Sequence, residues 1–175
     1  LRIPTPLLDT TIKPEGTLSQ VAGGVSSGLH ISHAPYYLRR IRINATDPLV
    51  EVAKELKWHI EPETGQTWDN ARTLVISFPQ KSAMRKTRAE QTVKEQFDTY
   101  FRFQETYTAH NSSNTITVKD DEWEEVEETI WNNWDDFIGV TFLPYDGGNY
   151  ELAPYEECTE EEYEMLMEQM LPFNV

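Results

Sequence analysis

The sequence predicts an α/β fold with largely parallel strands. Short apolar runs suited to strands alternate with longer stretches at helical spacing, and the connections between them are short. Helix starts carry capping patterns: Thr87-x-x-Glu90, Asp121-x-x-Glu124 and Thr159-x-x-Glu162. No segment recurs at a fixed period, which excludes a solenoid or propeller.

Residues 1–8, LRIPTPLL, hold two prolines and no cap, and read as the tail end of something larger. KPEGTLS, Lys13 to Ser19, has the shape of a helix entrance. Only a short helix fits between Ser19 and Ala22 before the Gly23-Gly24 break. Leu38 to Ile43 alternates as a half-buried strand, with Ile41 and Ile43 on one face and Arg40 and Arg42 on the other. Asp47 and Pro48 start a helix with Leu49, Val52, Ala53 and Leu56 as its apolar stripe. Glu61 to Gln66 reads as a turn, and TLVISF, Thr73 to Phe78, as a central strand.

Behind Thr87, the residues Val93, Phe97, Tyr100, Phe101 and Tyr107 fall at helical spacing. The polar HNSSN loop then leads to a strand over Thr115–Val118. The helix behind Asp121 has Trp123, Val126, Ile130, Trp134 and Phe137 as its stripe, and its tryptophans are expected in the core. Val140 to Leu143 is the next strand, and DGGN at 146–149 is a turn. In the last helix Tyr163, Leu166, Met167 and Met170 are expected to face inward.

With 38% apolar and 11% aromatic residues, the 175-residue chain can build one core. No apolar run approaches the length of a membrane span, and no leader opens the chain. The single cysteine, Cys158, allows no internal disulfide, so a reducing cytoplasm is the expected compartment. Charge is laid down unevenly. Residues 1–119 carry all 15 Lys and Arg against 12 acids, whereas residues 120–175 carry 18 acids and no basic residue. Such a surface argues against contact with a nucleic-acid backbone.

The chemistry concentrates in Lys13–Ser19. Pro14 fixes a backbone angle, and Gly16 lets the chain approach a ligand closely. Thr17 and Ser19 place hydroxyls near the unpaired amides of a helix start, where the dipole favours an anion by roughly 0.3–2 kcal/mol. This makes a candidate phosphate cradle, although GxxxxGK[ST] is absent and such turns also start helices that bind nothing. Lys13 and Arg40 are further candidates for reaching a phosphate; Arg40, like Arg39 and Arg42, is equally suited to pairing with acids of the second half. Lys81, Arg85, Lys86 and Arg88 read as a solvated basic run. His30 and His33 have no third ligand in reach and are expected to be structural, so no metal site is assigned. Cys158 sits in ECTEEEYE, whose acids disfavour a thiolate. No nucleophile–base set stands out, and no catalytic residue is assigned.

KPEGTLS, SSGLH and HAPYYLRRIRI together resemble the C-terminal catalytic portion of the adenosylcobalamin-dependent, class II ribonucleotide reductases. DPLVEVAKELKWHIEP, LVISFPQKS, WDDFIGVTFLP and APYEECTEEEYEML extend the resemblance, in order, over nearly the whole chain. It leans toward the ribonucleoside-triphosphate type. The resemblance implies the C-terminal half of a ten-stranded α/β barrel, in which Pro14, Glu15, Gly16, Thr17, Leu18 and Ser19 form the substrate-phosphate loop. Many relatives have Ser where this chain has Glu15, so Glu15 is expected to offer its amide and turn its carboxylate away.

Adenosylcobalamin, bound mainly by the upstream part, would generate the radical that attacks the ribose. A ribonucleotide would be the substrate, and an external dithiol such as thioredoxin would supply electrons. The radical cysteine, its assisting residues and the family's C-terminal cysteine pair fall outside this chain. The expectation is therefore a fragment or split subunit, inactive alone, whose upstream half docks on its strands. Two other classes stay open: a non-catalytic nucleotide- or phosphate-binding module, and an acidic interaction protein.

Overall fold

The computed structural model describes residues 3–145 and 151–173, with the side chains of residues 20 and 21 outside that description. The turn expected at 146–149 lies outside the described residues. In chain order the elements are α1 (Leu18–Ala22), β1 (Tyr36–Asn44), α2 (Leu49–Glu55), β2 (His59–Pro62) and β3 (Thr73–Lys81). They continue as α3 (Val93–Thr106), β4 (Thr115–Val118), α4 (Trp123–Asn132), β5 (Thr141–Pro144), β6 (Tyr155–Glu157) and α5 (Glu160–Gln169). Two compact units result: Leu1–Ser32 with Lys86–Gly147, and His33–Arg85 with Gly148–Val175. No helix among the described residues is long and apolar enough to cross a membrane.

The first unit holds a β-α-β crossover. β4 and β5 pair in parallel through α4, in register from Thr115 opposite Thr141 to Val118 opposite Pro144. Ile116 and Val118 point from β4 into a core with Val93, Phe97 and Val126, flanked by Phe101, Ile130, Phe137 and Phe142. The far edge of β4 is closed by Gln96, whose amide group donates to the Thr117 carbonyl and accepts from its amide, both at 2.8 Å.

Helix α3 is capped by Thr92, not Thr87. Thr92 Oγ1 accepts from the Glu95 amide, and the Glu95 carboxylate accepts from the Thr92 amide at 2.9 Å. Thr87 and Glu90 close only a single turn, because the residues after Thr87 bring no apolar stripe to the core. Asp121 does not cap α4 either. Glu122 instead accepts from the Val93 amide at 3.1 Å and the Lys119 amide at 3.0 Å, tying the starts of α3 and α4 together.

The second unit is a four-stranded sheet in the order β2-β3-β1-β6, and every pairing in it is antiparallel. The α/β class holds; the expectation of largely parallel strands does not. HIEP, whose last two residues open the expected turn, is a strand, and the loop at 63–72 makes β2 and β3 a hairpin. β3 therefore inserts between β1 and β2. Gln66 closes that loop by accepting from the Arg72 and Thr73 amides at 2.6 and 3.1 Å. β3 is central as expected, with Leu74, Val75, Ile76 and Ser77 buried.

Several faces differ from the expected ones. In β1, Arg40 is buried and Ile41 is exposed. In α2 the buried residues are Val50 and Ala53, while Leu49 is exposed. Asp47 still serves the helix start, accepting from the Leu49 amide at 2.9 Å. Thr159 and Glu162 form the anticipated capping box of α5, yet Met167 is exposed. The tryptophans of the α4 region are not in the core: Trp131 is 79% and Trp134 68% exposed.

Candidate functional site

The Lys13–Ser19 loop belongs to the first unit and is held from three directions. Upstream, the strap at residues 10–12 is laced to the loop after α3. The His110 and Ser113 amides donate to the Thr10 and Ile12 carbonyls, each at 2.9 Å, and Thr10 Oγ1 donates to the Tyr107 carbonyl at 2.7 Å. From behind, Ser27 Oγ donates to the Glu15 carbonyl at 2.8 Å. Gly28, at φ +59°, lies against Pro14 so closely that a Cβ there would stand 3.1 Å from the Pro14 nitrogen. Only glycine meets both demands without strain.

His30 anchors this support. Its Nε2 accepts from the Thr115 amide at 3.1 Å, which leaves the proton on Nδ1, where it donates to the Ser27 carbonyl at 2.9 Å. β4 thus fixes His30, His30 fixes Ser27, and Ser27 fixes Glu15. The structural role expected of this histidine is the one observed. The supports come from the SSGLH segment, whose backing role no spacing rule exposes.

On its outer side the loop is open. Gly16 and Thr17 are exposed, and a Cβ on Gly16 would meet nothing within 4 Å. No turn, loop or side-chain hydrogen bond among the described residues takes the amides of Gly16, Thr17, Leu18 or Ser19. Ser19 is only 3% exposed, and its Oγ has no partner among the described residues. A buried hydroxyl is normally paired, because desolvating it unpaired costs about 1–3 kcal/mol. Lys13 is exposed at the entrance, and Leu18 points outward.

Arg40 is not part of this arrangement. It is 6% exposed, and its guanidinium donates to Ser77 Oγ at 3.2 Å, the Ala153 carbonyl at 3.2 Å and Glu156 at 2.5 Å. These partners occupy it as a sheet-locking cation, so its candidacy as a phosphate ligand is withdrawn in favour of the ion pair. Three other basic residues are engaged within the protein. Arg42 pairs with Glu63, and the guanidinium holds that carboxyl below its usual range. Lys86 pairs with Glu95 at 2.5 Å and lowers its pKa. Arg39 stacks on Tyr155, with 4.7 Å between the guanidinium carbon and the ring centroid. Burial first, and then Glu162, Glu156 and Glu157, push the Cys158 thiol up to about 11. Among the described residues no group of three or more His, Cys, Asp or Glu is placed to hold a metal ion.

No protein-family profile matches the chain. Individual proteins do. It is 34% identical over 161 residues to the adenosylcobalamin-dependent ribonucleoside-triphosphate reductase of Lactobacillus acidophilus, covering 89% of this chain and 21% of that protein. The protein of the same name from Lactobacillus leichmannii is 32% identical over 161 residues. The fold superposes on a crystal structure of a B12-dependent, class II ribonucleotide reductase with a TM-score of 0.79 and 28% identity, covering 93% of this chain and 23% of that one. By sequence and by fold, the chain is homologous to one segment of the class II ribonucleotide reductases.

The chain spans about a fifth of the length of the curated relatives it matches. One cavity, of about 610 Å³, lies between α3 and the turn after α4, walled by Asp98, Arg102, Glu105 and Asp136 beside Phe101. A charged rim of this kind does not suit the broad apolar faces of adenosylcobalamin.

Proposed function

We propose that this chain is the C-terminal portion of a class II ribonucleotide reductase and supplies the grip on the substrate's phosphates. In this reading the free amides of Gly16 to Ser19, with the Thr17 and Ser19 hydroxyls, bind the polyphosphate of a ribonucleotide. Pro14 and Gly28 hold the bend in shape, and Glu15 takes part through its backbone. Lys13 adds a positive charge at the entrance. Charge-assisted hydrogen bonds from fixed amides suit a phosphate, since they cost no reorganisation on binding.

The observation that carries the proposal is Ser19, the second residue of α1: a buried hydroxyl with no partner among the described residues, at a helix start whose outer side is open. Reduction of the ribose would require polypeptide outside this segment, together with adenosylcobalamin, which supplies a radical by cobalt–carbon homolysis when bound there. An external dithiol such as thioredoxin would return the enzyme to its reduced form. The product would be a deoxyribonucleotide for DNA synthesis in the cytoplasm, and the chain alone would bind without reducing.

Isothermal titration of the purified chain tests this. A ribonucleoside triphosphate and inorganic tripolyphosphate are expected to bind, and the free nucleoside is not. Gly16→Val should abolish binding without unfolding the chain, because its side chain would enter open space and bar the ligand's approach. Absence of binding by both polyphosphates would refute the proposal.

A further inference from the structure

We infer that the end of α4 and the turn after it form a docking surface for the reductase polypeptide outside this segment, an inference that rests on the function proposed above. Trp131 and Trp134, at 79% and 68% exposed, lie three residues apart, and Ile138 follows at 62%. Large apolar side chains exposed together mark interaction sites, and tryptophan is the residue type most enriched among those that dominate binding energy. The expectation that these rings fill the core fails for a definite reason. Val126 and Ile130 already meet the core from α4, leaving Trp131 on another face of the helix.

Charge narrows the occupant. Glu124, Glu127, Glu128, Asp135 and Asp136 are all exposed, and Glu127 and Glu128 precede Trp131 by four and three residues, on the same side of α4. A second copy would bring like charges face to face, which costs several kcal/mol at an interface. Nucleic acid and anionic lipid surfaces are disfavoured by the same sign. What fits is a polypeptide surface with apolar sockets ringed by Lys and Arg. The relatives carry roughly four-fifths of their length beyond the part matched here, and that length of polypeptide is the occupant we infer.

The test mixes this chain with the Lactobacillus acidophilus reductase from which the matching segment has been deleted. Complex formation is read by size-exclusion chromatography with light scattering, and ring accessibility by hydroxyl-radical footprinting with mass spectrometry. Trp131 and Trp134 are expected to oxidise readily in the chain alone and at least fivefold more slowly in the complex. A Trp131→Glu, Trp134→Glu double variant should lose at least tenfold in affinity, with its circular dichroism and tripolyphosphate titration unchanged. Three results would overturn the inference: no complex with the wild-type chain, no protection of the two rings, or equal binding by the double variant. A self-dimer abolished by the double variant would also overturn it, in favour of a second copy. The phosphate titration uses the isolated chain, so failure of the docking surface and failure of the phosphate loop are read separately.

Discussion

Replacing Ser19 by alanine should move stability and binding in opposite directions. In the free chain the hydroxyl is 3% exposed with no partner among the described residues, so it has lost its water without gaining a hydrogen bond. Such a group costs about 1–3 kcal/mol, and deleting one oxygen leaves a void too small to cost as much. Ser19→Ala is therefore expected to stabilise the unliganded chain by about 1 kcal/mol. When a polyphosphate is bound, the same hydroxyl donates to a charged oxygen, a bond worth about 1.5–3 kcal/mol. Its loss should weaken tripolyphosphate binding by about ten- to a hundredfold. Urea unfolding in the absence of ligand gives the first quantity, and calorimetric titration the second. An ordinary structural serine would lose stability on truncation. If Ser19→Ala is destabilised, or if it binds tripolyphosphate as tightly as the wild type, the reasoning is wrong.

Three further outcomes follow from the same geometry. Gly28→Ala forces φ +59° on an L-residue and presses a Cβ against Pro14, so stability and polyphosphate affinity should fall together. The backbone term alone is about 1–2 kcal/mol, or roughly 2–8 °C in melting temperature by calorimetry. Arg40→Met keeps most of the buried volume but leaves Ser77 Oγ and the Ala153 carbonyl short of a donor, at a cost of about 1–2 kcal/mol in urea unfolding. Glu156 stays partly solvated, which limits the penalty, and tripolyphosphate affinity should not change. Alkylation of Cys158 by iodoacetamide should be about tenfold slower at pH 8 than for an ordinary cysteine, because a thiolate scarcer by over a hundredfold is only partly offset by its greater nucleophilicity. Since the thiol titrates at about 11, the rate should still be climbing at pH 10, followed by mass spectrometry.

Where the determining interactions are local, the sequence was sufficient. Thr159 and Glu162 cap α5 through their own backbone neighbours, and Gly23-Gly24 ends α1 where the chain has no other choice. β4 falls at Thr115–Val118 because its alternation has a single buried face. Cys158 is suppressed in part by acids one to four residues away, which are legible without coordinates. The Lys13–Ser19 loop stood out for a similar reason, since proline, glycine and hydroxyl residues act on their own few bonds.

Long-range partners decided the rest. Periodicity tells which residues share a face but not which face finds a neighbour, so Arg40 was misplaced: its partner Glu156 is 116 residues away. The same limit hid the antiparallel sheet, because insertion of β3 between β1 and β2 depends on pairings that no window of sequence contains. His30 and Gly28 became supports of the loop only through Thr115 and Pro14, contacts made by folding. The exposure of Trp131 was likewise fixed once Val126 and Ile130 had filled the core from α4, and Trp134, on the same stripe by spacing, falls past the helix, which ends at Asn132. Backbone preferences, set over a few bonds, made the loop and its caps readable in the chain; burial, pairing and the orphaned Ser19 hydroxyl depend on segments that meet only in the folded protein.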